Sequence, residues 1–178
     1  MSRISMIKPE EATGVTAEVF GNIKKAVGKV PNAYATIGSQ NIAALQVLLQ
    51  ADGVVSKGTL SKQDQETIKL AVSEAVQCDY CVAAHTLVGK MVGLAPEAMK
   101  QIRAGEATGD AKRDALVRFV RGIVTSQGTV AQADYDAIIE AGYTQAQLVD
   151  ISLAIAVITF TNVFNRINDT TVDFPAVK

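Results

Sequence analysis

The sequence predicts an all-α fold, a bundle of about seven or eight helices in one domain. Three observations predict it. Apolar residues recur at the three- and four-residue intervals of a helix face along most of the chain. No run of β-branched residues alternates with polar ones over more than a few positions. Turn-forming clusters at Gly28 to Pro31, Ser56 to Gly58, Gly105 to Gly109, Gly128 and Gly142 separate the periodic segments, and none is long enough to be an interdomain linker. The 178 residues therefore read as one domain over 1–178. A chain of this length buries about 70% of its extended surface and needs no metal or disulfide staple to fold.

The elements follow in order. A first helix is expected over about 16–28. Ile42, Leu45 and Leu49 mark a second, over about 33–53. Ser61, with Asp64 three residues later, resembles a capping box with Asp in place of the usual Glu or Gln. It opens a helix whose apolar face is Ile68, Ala71, Val72, Ala75 and Val76. Pro96 suits the first position of a short helix ending near Arg103. Asp110 is a candidate N-cap for a helix carrying Leu116, Phe119, Val120, Ile123 and Val124 on one face. A short helix over about 131–140 precedes a long one over about 145–167. That last helix is apolar on nearly every side from Leu148 to Val163, the pattern of a bundle's central helix or of a subunit contact.

Composition removes several classes of function. Seventeen basic residues face eighteen acidic ones, for a net charge of −1. That balance offers no electrostatic footprint for nucleic acid and no basic face for anionic lipid. The N-terminal residues Met1 to Lys8 lack an apolar core followed by a small-residue cleavage site. The apolar stretch from Ile151 to Phe160 falls short of the roughly 20 residues of a spanning helix. The expectation is a cytoplasmic protein with neither nucleic-acid nor membrane partners.

The chemistry concentrates in one place. Cys78, Cys81 and His85 are the only cysteines and the only histidine, and all lie within eight residues. On a helix they stand at i, i+3 and i+7 and project from one face. A thiol near a helix N-terminus is biased toward thiolate, the attacking species, and an imidazole one turn on is placed to take its proton. The simplest alternative is a pair of small buried cysteines with a satisfied histidine. Structural zinc wants four ligands, so Glu66 or Glu74 would have to complete the set, and there is no second CxxC. A redox dithiol needs only a base and a resolving thiol, and the sequence supplies both. Neither a metal nor an organic cofactor is called for.

A carboxylate behind the imidazole would orient it and stabilise its charged form. Glu74 lies one turn before Cys78, and spacing alone slightly favours it. On an unbroken helix Glu66 would be about 18 Å from Cys78. Its use requires a break at Gln77-Cys78-Asp79 that folds two antiparallel helices face to face.

The segment from Glu66 through Cys78-Asp79-Tyr80-Cys81 to His85 resembles the AhpD-like branch of the carboxymuconolactone decarboxylase superfamily. The family pattern is E-x11-C-x2-C-x3-H, and every fixed position is present. The match is densest over about 60–95. The run Phe160 to Asn165 and the ending Val172-Asp173-Phe174-Pro175 look like longer, peroxidase-related members. The resemblance implies an AhpD-like helical bundle, a homo-oligomer (often a trimer or hexamer), and thiol peroxidase or disulfide reductase activity without haem or flavin. It implies that Cys81 is the activated thiol, assisted by His85 and Glu66, and that Cys78 resolves the sulfenic acid and faces incoming thiols. It thereby moves the carboxylate role from Glu74 to Glu66. The implied partners are a hydroperoxide substrate and an external dithiol, thioredoxin-like or lipoylated. One well-studied type has a second histidine where this chain has Tyr80, whose phenol, with a pKa of about 10, is a poor proton shuttle. A decarboxylase-type lyase using the histidine alone, and a non-enzymatic redox sensor, are the rival functions.

Overall fold

The computed structural model describes residues 2–177. Among them are nine α-helices and one 3₁₀ turn, with no strand. The 3₁₀ turn Pro9–Glu11 leads into α1 (Gly14–Val27), α2 (Asn32–Gln40), α3 (Ile42–Lys57), α4 (Lys62–Ala75) and α5 (Asp79–Met91). Then follow α6 (Pro96–Ala104), α7 (Ala111–Ser126), α8 (Gln132–Glu140) and α9 (Gln145–Asn168).

The count exceeds the expected seven or eight because the segment 33–53 is two helices. Asn41 leaves helical geometry at φ −154°, ψ 91°, and its side chain accepts the Ala44 N–H at 3.0 Å. An asparagine that caps its own backbone competes with the helix it interrupts. Elsewhere the start signals are where the sequence places them. Ser61 accepts the Asp64 N–H, Asp110 accepts the Arg113 N–H, and Pro96 is the first residue of α6.

Helix α4 is the hub, packing against α5, α6, α7 and α9. Its Ile68, Leu70, Ala71 and Val72 are wholly buried, and Leu116 and Val120 of α7 and Ile151 and Ala154 of α9 close over them. The same helix buries Gln65, Glu66, Thr67 and Ser73. A central helix with a polar seam is costly unless each polar group finds a partner. Glu66 finds its partner on α5, Ser73 on α9, and Gln65 at the Leu60 C=O just before the helix.

Helix α9, 24 residues long, is apolar and long enough to cross a membrane by length and composition, contrary to the shorter stretch read from sequence. Its buried stripe runs through Ile151, Ala154, Ile158, Asn162, Asn165 and Asn168, against α4 and the start of α5. Val149, Phe160, Val163 and Ile167 remain exposed on its other side.

Candidate active site

The site begins with a helix stop. Cys78 N–H bonds Ser73 C=O at 2.9 Å and Gln77 N–H bonds Glu74 C=O at 3.0 Å. This is the paired bonding of a Schellman stop, with Gln77 in the left-handed position at φ 56°. The chain reverses there, as the expected break requires. Cys78 becomes the N-cap residue of α5, and Cys81 falls in its first turn. The reversal lays α5 against α4 and brings Glu66 and His85, 19 residues apart, into contact.

His85 Nδ1 lies 2.8 Å from Glu66 Oε2. Lys69 Nζ is 3.3 Å from Glu66 Oε1 and 3.1 Å from Asp52 Oδ1 on α3. Burial pushes the Glu66 carboxyl up, but His85 and then Lys69 outweigh it and hold the group below its ordinary value. Lys69 is likewise drawn down by burial and more than restored by Glu66 and Asp52. Glu66 is thus a carboxylate, which only accepts, so His85 Nδ1 carries the hydrogen and Nε2 is left as the basic nitrogen.

Both cysteines are free and about 2% exposed, with their sulfurs 2.7 Å apart. Two thiols this close titrate as a unit. The hydrogen bond shared with Cys81 is the largest effect on Cys78 and holds it below its ordinary value against the opposing effect of burial. The same bond, burial and the neighbouring charge push Cys81 far up, while Asn165 and Thr161 pull it down. One proton of the pair is therefore held more loosely than the other.

A pocket of about 390 Å³ opens beside the pair. Cys81 and His85 line it, together with Tyr34, Leu87, Met91 and Phe174. Its far wall is the C-terminal strap. Tyr80 Oη donates to Asp173 Oδ1 at 2.8 Å and accepts the Ala33 N–H at 3.1 Å. Lys29 bonds Asp173 through both its main-chain oxygen and its carboxylate, and sits 4.4 Å over the Phe174 ring. Burial raises the Tyr80 phenol, the Ala33 N–H opposes this, and the Asp173 charge adds to the rise. Tyr80 therefore stays protonated and anchors the strap.

Glu74, the carboxylate favoured by spacing, is turned away. It takes Arg103 Nε of α6 at 2.6 Å. The break rotates the two helices so that Glu66, not Glu74, meets the imidazole. Among the described residues no cluster of three or more His, Cys, Asp or Glu side chains is placed to hold a metal, so the four-ligand zinc reading has no geometry here. Sequence reasoning gave no role to Lys69, Asp52, Tyr34 or Asn165. Asn165 Nδ2 donates to Cys81 Sγ at 3.3 Å from 84 residues away, and its only sequence signal is an amide in an apolar helix.

Comparison with known proteins bears on the fold. A carboxymuconolactone decarboxylase family profile matches residues 43–121, which hold Glu66, Cys78, Cys81 and His85. A solved structure of an alkylhydroperoxidase AhpD core, a peroxidase-related protein from Ralstonia eutropha JMP134, superposes with TM-score 0.86. It is 23% identical, with 97% of this chain and 92% of that one covered. The chain thus shares the fold of this AhpD-like structure, and its residues 43–121 match the carboxymuconolactone decarboxylase family. Other solved structures share the fold. A peroxidase-related protein from Silicibacter sp. TM1040 is 19% identical at TM-score 0.80, with coverage of 96% of this chain and 94% of that one. The debrominase Bmp8, solved with 2,3,4-tribromopyrrole, is 15% identical at TM-score 0.82, covering 97% and 92%. The fold therefore carries proteins described by more than one chemistry. No curated protein sequence matches the chain.

Proposed function

We propose that the chain is a thiol-dependent peroxidase and disulfide oxidoreductase working through Cys78 and Cys81. The observation that carries this reading is the hydrogen bond between Glu66 of α4 and His85 of α5, the helix that Cys78 caps and Cys81 opens, with Cys81 lining an open pocket. In the proposed cycle His85 Nε2 takes one proton from the pair, directly or through water, and the remaining proton passes across the 2.7 Å contact to Cys78, leaving Cys81 as the thiolate. The Cys81 thiolate attacks the distal oxygen of a hydroperoxide and becomes a sulfenic acid, and the leaving oxygen is protonated. Cys78 then attacks Cys81 Sγ, giving a disulfide and water. An external dithiol, thioredoxin-like or lipoylated, restores the reduced pair. Glu66 holds the Nδ1 tautomer and stabilises the imidazolium.

Two further features belong to the proposal. The protein works as a homo-oligomer, a trimer or hexamer by resemblance, through the α3/α9 face. A groove of about 490 Å³ there is lined by Val47, Leu48, Leu153, Val157 and Phe160, with no charged side chain. A second copy presenting the same uncharged face is its natural cover. The compartment we propose is the cytoplasm, where the pair would be kept reduced.

The test is hydroperoxide consumption by the reduced protein with a panel of reductants, in the parent, Cys78→Ser and Cys81→Ser. Loss of turnover in Cys81→Ser is expected, and full turnover in that variant removes the reading. Thiol alkylation should abolish the activity; a lyase using His85 would survive it. A redox sensor would change size on oxidation in gel filtration while turning over no peroxide.

A further inference from the structure

Helix α9 buries three asparagines, Asn162, Asn165 and Asn168, on one stripe of an otherwise apolar helix. Asparagine is a poor helix-interior residue, and a buried amide needs partners. Asn162 Oδ1 accepts the Ser73 hydroxyl at 3.2 Å, its Nδ2 has no partner among the described residues, and it does not line the pocket. Asn168 accepts the Ile4 N–H at 2.8 Å and donates to Thr170 Oγ1 at 2.9 Å. Asn165 is placed differently. Its Nδ2 donates to Cys81 Sγ, and its side chain lines the pocket next to Cys81 and His85. Its Oδ1 is fully buried and has no hydrogen-bond partner among the described residues. A thiolate only accepts, so the nitrogen side of the amide must face the sulfur. The oxygen on the same amide is then an unpaired buried acceptor, costly to leave so unless turnover brings it a donor.

We propose that Asn165 is a catalytic residue of this site, its amide N–H holding Cys81 Sγ and its Oδ1 receiving the hydrogen of the oxygen that the sulfur acquires. The inference rests on the peroxidase reading. When Cys81 thiolate attacks a hydroperoxide, the S–O bond forms as the O–O bond breaks. The sulfur gives up two electrons, the peroxide takes them, and the released alkoxide leaves as alcohol after protonation. The distal oxygen keeps its own hydrogen, and that S–O–H donates to Asn165 Oδ1. Cys78 thiolate next attacks Cys81 Sγ; the S–S bond forms and hydroxide departs, protonated to water. The external dithiol then returns the two electrons.

The experiment uses the full chain with Cys78→Ser, which leaves Cys81 as the only thiol. Its alkylation rate by iodoacetamide against pH gives the ionisation midpoint of Cys81. With Asn165→Leu, and with the isosteric Asn165→Asp, the midpoint moves up and the rate at pH 7 falls roughly ten- to a hundredfold, the loss of one charge-assisted hydrogen bond. Cumene hydroperoxide followed by dimedone should trap less of the sulfenic acid in both variants. The parent chain supplies a reading that needs no substitution at 165: the Asn165 side-chain amide resonance should shift with the midpoint of thiol ionisation. An unmoved midpoint in folded variants, or an amide resonance blind to thiol ionisation, overturns the proposal. If the parent consumes no hydroperoxide, the peroxidase reading fails by itself, because the alkylation midpoint needs no peroxide.

Discussion

At the scale of single residues, Glu66 carries the account's electrostatics, because it fixes which nitrogen of His85 is free. Glu66→Gln keeps the shape and removes the charge. Peroxide consumption should fall roughly tenfold or more, as expected for a general base that has lost its orienting partner. The same variant tests the pH dependence of folding. The Glu66 carboxyl sits below its ordinary 4.5, so its stabilisation is complete above that value and disappears as pH falls through the lower folded one. Melting temperature in the parent should drop below about pH 4.5, and Glu66→Gln should flatten that drop; equal slopes would contradict the ion-pair reading. Of this site the sequence showed the thiols and the imidazole outright, because helical spacing puts them on one face. It could not choose between Glu66 and Glu74, since that choice depends on how α5 rotates after the break; only the family pattern pointed to Glu66. Asn165 was illegible because nothing local links it to a thiol 84 residues away.

Among the elements, the α4–α5 reversal matters most. Gln77 occupies a left-handed position that a glycine would adopt without strain. Gln77→Gly should therefore stabilise the fold by up to about 1 kcal/mol. It should leave the Glu66–His85 contact intact; denaturant melts would detect the gain. Close packing shows the opposite sign at Gly38 of α2. A Cβ there would stand 2.6 Å from Phe20 Cε1 and 2.8 Å from Leu45 Cδ2. Gly38→Ala should cost about 1–3 kcal/mol, read as a lower denaturation midpoint. Helix starts were legible where a capping side chain precedes an apolar stripe, as at Ser61 and Asp110. The stop at Asn41 was not, because the apolar spacing of Ile42, Leu45 and Leu49 continues the preceding pattern and hides a cap in mid-segment.

The whole molecule raises the question of what covers α3 and α9. The sequence flagged the late helix as either central or intermolecular, and the fold divides it: Ile151, Ala154 and Ile158 are buried in the bundle, while Val149, Phe160 and Val163 stay exposed. Phe160→Glu should reduce the sedimenting mass, and an unchanged mass would remove this face as the contact between copies. The central claim, however, is that Cys78 and Cys81 act as one redox couple reached through Cys81. It is tested most directly by a single turnover. Reduced protein is mixed with one equivalent of an organic hydroperoxide, and the remaining peroxide, free thiols and intact mass are followed together. The account predicts two thiols lost for each peroxide consumed, a mass lower by two hydrogens, and no reaction in Cys81→Ser. Peroxide left unconsumed by the parent, or consumed equally by Cys81→Ser, would contradict it.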